Sequence, residues 1–199
     1  YKLQSLTYKE MTVFNPEQTD ENQALIYGIT GGIPHYINKL DVEGNVDVAL
    51  KENLFNTSSY LYEEPENLLK QELREPAIYN SVITAIAGGA SKANEIATKV
   101  GIESAVCAKY LKVLLNLGIL KKETPITEKA GKKTIYAIGD NFFRFWYRFV
   151  PQNASAITAG HIDKIYESVI KRNFSDYMGL VYEQMCKEYL FLYAEDLPI

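Results

Sequence analysis

The amino-acid sequence predicts a mainly α-helical protein that carries one small β hairpin. Apolar residues recur at helical spacing in several segments, and Ile78, Val82 and Ile86 illustrate the four-residue repeat. Gly and Pro residues interrupt these segments at intervals that suit short helices. Two short segments, 119–123 and 134–138, are predicted as strands joined by a Lys- and Gly-rich turn.

Composition is typical of a folded globular protein. The 199 residues are 47% apolar and 23% charged, so disorder is not expected. No apolar run reaches the roughly 18 residues of a membrane-spanning helix, so no membrane partner is expected. Cys107 and Cys186 lack the spacing of metal ligands, and we interpret both as small buried side chains in a cytoplasmic protein. Because the sequence begins at Tyr1 rather than Met, we expect a fragment or a processed form.

Breaks in the helical pattern divide the chain into three segments. Residues 1–65 are predicted as a helical region, residues 66–140 as a winged helix-turn-helix, and residues 141–199 as the start of a further, helical domain. Besides the elements described next, helices are predicted at 21–29, 35–39, 46–55, 66–73, 76–87, 162–172 and 178–193, with a strand at 1–6 and a loop at 60–64 that ends at Pro65.

The winged helix-turn-helix prediction rests on local start and stop signals. Ala93–Val100 is predicted as a short helix, Gly101 as part of a tight turn, and Ser104–Leu117 as a longer helix that Gly118 ends. The β hairpin follows as the wing. Modules of this kind commonly present the second helix to the major groove of DNA.

The candidate DNA-binding residues lie on the second helix and in the hairpin. The predicted core-facing side chains of the helix are Val106, Tyr110, Leu114 and Leu117. The candidates on the opposite face and in the wing are Ser104, Ala105, Lys109, Lys112, Lys129, Lys132 and Lys133. Lysines can contact phosphates, but Asn116 is the one side chain suited to reading bases, so weak and non-specific binding is expected. A solvated lysine face on a protein-packing module is the alternative.

Charge is distributed unevenly between the three segments. Residues 1–65 contain four Lys/Arg and ten Asp/Glu, a net charge of −6. Residues 66–140 contain eleven and eight, a net charge of +3, and residues 141–199 contain six and seven, a net charge of −1. The basic excess therefore coincides with the predicted winged helix, as nucleic-acid contact would require.

Two further segments have unusual composition. Residues 30–34 form a helix-breaking turn, because Gly31 and Gly32 permit backbone angles that other residues avoid and Pro34 suits a helix start. Residues 142–149 contain six aromatic side chains in eight positions, and such a helix is predicted to be buried on most of its circumference. Neither the histidines nor the paired acids of the sequence form a metal or catalytic pattern, so no catalytic residue is assigned.

Several longer strings resemble one family. They are YGITGGIPHY at 27–36, LYEEP at 61–65, LREP at 73–76, the helix-turn-helix string EIA…KYL…LLNLGIL at 95–120, ETPITE at 123–128, DNFFRFWYRF at 140–149, YMG at 177–179 and YE at 182–183. In this order they resemble the archaeal-type P-loop ATPases of the AAA+/STAND superfamily, also found in bacteria, which carry a C-terminal domain of unknown function.

The resemblance implies a fragment of a larger protein. The phosphate loop and magnesium acid would precede Tyr1 in an upstream ATPase domain, so ATP and Mg are expected cofactors of the full-length protein, whereas this chain alone should not hydrolyse ATP. Residues 1–65 would be the helical lid of this ATPase, and Gly32, Ile33 and Pro34 of the lid would approach the adenine side of the nucleotide. The C-terminal domain resembles restriction-endonuclease-like nucleases, and Glu183 would be its first acid, with the later acids beyond Ile199.

Three functions remain open at this stage. The first is the C-terminal regulatory part of a P-loop ATPase, which couples the nucleotide state to DNA or to a protein partner. The second is a stand-alone winged-helix transcriptional regulator. The third is a protein–protein interaction module without DNA binding, which the salt dependence of DNA binding distinguishes from the other two.

Overall fold

The computed structural model describes residues 5–123 and 134–193. These residues are mainly helical, as the sequence predicts, and include a two-stranded antiparallel sheet. The chain forms two compact units, one from Tyr1–Tyr62 with Asn153–Ile199 and one from Glu63–Gln152. The segment after residue 152 therefore groups with the N-terminal segment, whereas the sequence suggested three consecutive segments.

The first unit begins with four helices, of which the first was not predicted from the sequence. They are α1 (Tyr8–Met11), α2 (Asp20–Thr30), α3 (Pro34–Leu40) and α4 (Val46–Leu54). The Thr19 hydroxyl accepts the Asn22 N–H at the start of α2, and the Asn45 side chain accepts the Asp47 N–H at the start of α4. These side chains satisfy N–H groups that lack partners within the helix.

The helix α5 (Tyr60–Glu72) corrects the predicted loop at 60–64. Pro65 lies inside this helix and removes one backbone donor, yet the helix continues. The Ser59 hydroxyl accepts the Tyr62 N–H at the helix start, and Leu61, Pro65 and Leu69 are buried at four-residue spacing. Burial of this stripe offsets the missing hydrogen bond.

The Glu63–Gln152 unit then follows the predicted order of elements. It contains α6 (Pro76–Ala87), α7 (Ala93–Val100), α8 (Ser104–Asn116), β1 (Leu120–Glu123) and β2 (Ile135–Ile138). Gly101 adopts a left-handed conformation with φ of 77° between α7 and α8. In the sheet, Leu120 pairs with Ile138 and Glu123 with Ile135. The N–H of Tyr136 donates to the Ser91 carbonyl at 2.7 Å, which joins β2 to the residues just before α7.

The aromatic segment forms α9 (Asn141–Phe149) in the same unit. The Asp140 carboxylate caps it by accepting the Phe143 N–H at 2.9 Å. The Tyr147 hydroxyl donates to the Asn80 side-chain oxygen on α6. The prediction of nearly complete burial is confirmed by the core positions of this helix, which are Asn141, Phe142, Phe143, Phe145, Trp146, Tyr147 and Phe149.

The last part of the first unit departs from the predicted continuous helix at 162–172. After α10 (Ala154–Thr158) come α11 (Ile162–Ile165), a π-helical turn at Tyr166–Ile170 and a short 3-10 turn. The Tyr166 hydroxyl donates to Asp47 at 2.8 Å, and the Lys171 ammonium pairs with the same carboxylate. A π-helix brings residues five apart to one side, so the wider turn lets both side chains reach Asp47.

The final helix is α12 (Phe174–Tyr193), which begins four residues before the predicted start at 178. Tyr177 and Val181 are fully buried on its inner face. Its contacts in the unit include α2, so α12 packs on the helix that leads into the Gly31–Gly32 turn. The Lys9 ammonium of α1 also lies 5.3 Å from the centre of the Tyr193 ring.

Candidate functional site

The exposed face of α8 is the one that the sequence predicts. Ser104, Ala105, Lys109 and Lys112 are all exposed. The inward face differs in detail from the prediction, because Val106 and Leu117 are only half-buried. Its buried residues are Cys107, Tyr110, Leu111 and Leu114. These positions follow the i, i+3, i+4, i+7 pattern of one helical face.

The two lysines of this face are available for an anion. Within residues 5–123 and 134–193, no carboxylate lies within 4.0 Å of the Lys109 or Lys112 ammonium group. Glu103 precedes the helix and is also exposed, with no side-chain capping bond. Its carboxylate suits the positive end of the helix dipole but opposes an approaching phosphate. The sequence analysis did not single out this acid.

The hairpin contributes further positive charge next to α8. On β1, Lys121 pairs with Glu123 at 2.7 Å, whereas the Lys122 ammonium lies 5.6 Å from the centre of the Tyr136 ring. The three predicted wing lysines, Lys129, Lys132 and Lys133, lie outside the described residues. The observed candidate surface therefore consists of Ser104, Ala105, Lys109, Lys112 and Lys122, and we call it the α8 surface.

A partly buried contact joins the inner face of α8 to the residue that precedes α6. The Tyr110 hydroxyl donates to the Glu75 carboxylate at 2.6 Å, and its ring lies edge-on to Tyr79 at 4.7 Å between centroids. The hydrogen bond to Glu75, together with desolvation, raises the pKa of Tyr110 to about 12. Tyr110 therefore stays a neutral donor at physiological pH. Glu75 belongs to the LREP string, but its partner was not predictable from local spacing.

The Gly31–Gly32 turn connects α2 to α3. Both glycines have positive φ, 63° and 69°, so the left-handed backbone that the sequence predicts is present. The Leu6 N–H donates to the Gly32 carbonyl at 2.8 Å. A Cβ at position 32 would lie 2.1 Å from the Leu6 carbonyl oxygen, so a side chain cannot be accommodated. Gly32 thus has a structural role that is independent of any ligand.

The remaining predicted lid residues flank this contact. Pro34 is the first residue of α3 and is exposed, whereas Ile33 is half-buried. The exposed side of the turn is therefore formed by Pro34 and the backbone around it. Whether a nucleotide approaches there stays a prediction.

Glu183 and the cysteines complete the predicted set. Glu183 is exposed on α12 and pairs with Lys187 at 2.6 Å, one helical turn away. Cys107 is fully buried, and burial raises the pKa of its thiol. The prediction for Cys186 is wrong, because this thiol is exposed. It lies on the outward side of α12, which sequence spacing alone did not distinguish from the inward side.

Neither a metal site nor a membrane-spanning helix is found among the residues that the structure describes. Among residues 5–123 and 134–193, no group of three or more His, Cys, Asp or Glu side chains is placed to hold a metal ion. In that part of the chain, no helix combines the length and the apolar character needed to cross a bilayer.

Comparisons with known proteins place this chain beside proteins of undefined activity. Residues 146–198 match the model of a family, DUF234, described as archaeal and bacterial proteins of unknown function. An uncharacterized protein of Methanocaldococcus jannaschii is 35% identical over 192 residues, which cover 95% of this chain and 42% of that protein. The chain thus spans less than half the length of this relative. No solved structure matches the chain.

Proposed function

We propose that the chain is the C-terminal regulatory part of a P-loop ATPase, in which a helical lid and a winged helix couple the nucleotide state to DNA binding. The observation that carries the DNA part is the α8 surface, which combines small exposed residues with lysines that have no carboxylate partner among the described residues. Small side chains permit close approach to a duplex, and lysines neutralise phosphates. The length of the M. jannaschii relative is compatible with an additional ATPase domain.

The same surface favours contact with the DNA backbone over reading of the bases. Ser104 and Ala105 offer little hydrogen-bonding capacity, and Lys109 and Lys112 act as point charges. The exposed Asn116 lies at the end of α8, away from the N-terminal half that usually meets the bases. We therefore expect low sequence preference.

The proposed nucleotide part assigns a role to Gly32, Ile33 and Pro34. A left-handed turn at a helix start exposes backbone that can approach a flat ligand closely. By resemblance, that ligand is the adenine end of ATP. Nucleotide binding can shift the equilibrium between two positions of the lid only by the difference between its binding free energies for those two positions.

A second candidate is a protein–protein interaction module without DNA binding. The exposed Glu103 carboxylate favours it, because this negative charge stands where a phosphate would approach the start of α8. A partner with basic groups would fit this end of the helix better than DNA.

A titration of labelled duplex DNA at several salt concentrations tests the DNA part. For a few phosphate contacts, log affinity should fall against log salt with a slope of about −3 to −5, at roughly −0.9 per contact. Two unrelated duplex sequences should bind with similar affinity. Absence of binding at low salt would favour the protein-interaction candidate, and a strong sequence preference would contradict the proposed mode.

The nucleotide part requires the full-length protein. Pro34→Ala is expected to weaken nucleotide affinity there, because it loosens the start of α3 at the exposed turn. A thermal melt measures its structural effect separately. A lowered melting temperature with unchanged nucleotide affinity and turnover would restrict Pro34 to a structural role.

A further inference from the structure

The last turn of α2 packs directly against α12. Gly28 lies at this contact, and a Cβ there would come within 2.9 Å of the Met178 sulfur and 3.2 Å of the Val181 methyl groups. Gly28 and Val181 are both buried. Absence of a side chain at position 28 therefore lets the two helices approach closely, directly before the Gly31–Gly32 turn.

A buried hydrogen bond joins the two helices at the same place. The Tyr177 hydroxyl on α12 donates to the Gly28 carbonyl at 2.7 Å. Carbonyl groups in the last turn of a helix have no partner within the helix. The hydroxyl of Tyr177 on α12 thus donates a hydrogen bond to a carbonyl at the end of α2. The Tyr177 side chain is fully buried.

Tyr27 forms a second connection between α2 and α12, and its ring lies beside the Gly31–Gly32 turn. Its hydroxyl donates to the Glu188 carboxylate on α12 at 3.1 Å. The edge of its ring lies 3.2 Å from the position of a Cβ on Gly32. Burial, and then the Glu188 charge, raises the pKa of Tyr27, so the hydroxyl keeps its proton and remains a donor. The ring of Tyr27 therefore lies beside the turn, while its hydroxyl is bonded to α12.

We infer that the position of α12 is linked to the position of the Gly31–Gly32 turn and of the residues that follow it up to Pro34. Tyr27 and Tyr177 are the positioning residues that link the turn to this helix. The nucleotide side of this inference rests on the proposed function, because it takes a nucleotide as the ligand of the turn. A ligand that prefers one position of the turn would then also favour one position of α12. By linkage, a change that displaces α12 alters the affinity at the turn by the same factor.

Hydrogen exchange on the full-length protein tests the link without any nucleotide. Tyr27→Phe and Glu188→Ala should each speed exchange of the Leu6 amide, which is bonded to Gly32, by about threefold to tenfold. The double variant should behave like the more severe single variant, because both changes remove one bond. Tyr189→Phe is the matched control, since it removes a hydroxyl from the exposed side of α12 and should change nothing.

The outcomes distinguish a specific link from general destabilisation. Exchange in α4, which belongs to the same unit, should stay unchanged in Tyr27→Phe and Glu188→Ala. Equal acceleration at Leu6 and throughout α4 would reduce Tyr27 to an ordinary stabilising residue and overturn the inference. Unchanged exchange at Leu6 would overturn it as well.

A second measurement adds a non-hydrolysable ATP analogue to the full-length protein. Exchange of the α12 amides around Glu188 should slow in the wild type, and Tyr27→Phe should reduce this protection at least threefold. If the analogue binds but leaves α12 unchanged, the link is refuted while the proposed function stands. If no analogue binds, the proposed function fails, and the Leu6 result alone decides whether the turn and α12 are linked.

Discussion

The two compact units use aromatic-rich helices in opposite ways. In the Glu63–Gln152 unit, α9 buries almost its whole circumference, and Trp146 is only 4% exposed. In the other unit, α12 buries Tyr177 and Val181 but leaves Tyr182 and Phe191 exposed by 62% and 86%. Each helix contains six aromatic residues, in nine positions of α9 and in twenty of α12. One helix is a core element, whereas the other presents an apolar face.

The neighbours of each helix explain the difference. α9 contacts both α6 and β2, so protein covers it on more than one side. α12 packs on α2, and large apolar side chains on its other sides, such as Tyr182 and Phe191, stay exposed. Exposed apolar faces of this kind commonly serve as contact surfaces for other protein parts. Composition therefore predicts that an aromatic-rich helix packs against other elements. The number and position of those elements decide what fraction of the helix surface is buried.

Truncation of one aromatic residue in each helix should give the largest difference in the free energy of unfolding. Trp146→Ala should lower the free energy of unfolding by about 3–5 kcal/mol, because a large cavity remains in the core. Phe191→Ala should change it by less than about 0.5 kcal/mol, as expected for an exposed position. Urea denaturation of both variants measures this. Similar values for the two would remove the distinction between the helices.

The Gly31–Gly32 turn offers a second contrast, within the first unit. Gly32→Ala and Gly160→Ala both place Ala at positive φ, which costs about 1–2 kcal/mol. Position 160 has open space around its Cβ, whereas position 32 meets the Leu6 carbonyl. Gly32→Ala should therefore cost about 1–3 kcal/mol more than Gly160→Ala. Equal melting temperatures for the two variants would mean that the Leu6 contact does not constrain the turn.

Local signals in the sequence predicted the Glu63–Gln152 unit well. Pro76 starts α6 and Gly101 separates α7 from α8, and both act on neighbouring residues only. Local signals failed where distant residues decide. Asp47 holds the π-turn through Tyr166 and Lys171, which lie 119 and 124 residues further along the chain. No local pattern contains these partners.

The candidate sites were predictable to different degrees. Exposure of Lys109 and Lys112 followed from helical periodicity, since the buried stripe of α8 fixes its outer face. The contact of Gly32 with Leu6, and that of Tyr27 with Glu188, join residues far apart in sequence. The two adjacent glycines predicted a turn at 31–32, but they did not indicate that the backbone of Leu6 is bonded to it.

The charge of the α8 surface should have a smaller effect, visible in DNA binding rather than in stability. Replacing Lys109 and Lys112 together by Ala should make the salt slope less negative by about 2, at roughly 0.9 per contact. Lys70→Ala is the matched control, because Lys70 is exposed on α5 and paired with Glu66 at 3.4 Å. Fluorescence anisotropy across salt concentrations measures both slopes. A change in the control equal to that of the double variant would indicate general charge attraction.

The smallest expected effect concerns the start of α7 and its dependence on pH. The Glu95 carboxylate accepts the N–H groups of Ser91 and Lys92, both at 3.2 Å. The bond from Ser91, followed by that from Lys92, lowers the pKa of Glu95 below the ordinary value of 4.5. Because the folded pKa is the lower one, this stabilisation is fully present above pH 4.5 and is lost as the pH falls through the folded value.

Glu95→Gln should therefore lower the melting temperature slightly at pH 7, and the difference from the wild type should shrink in acid. An NMR titration of Glu95 should place its midpoint below 4.5. Glu103→Gln is the matched control at the start of α8, where the acid makes no side-chain capping bond. If both variants lose the same stability with the same pH dependence, helix-dipole attraction alone accounts for Glu95, and the bonds to Ser91 and Lys92 contribute nothing further.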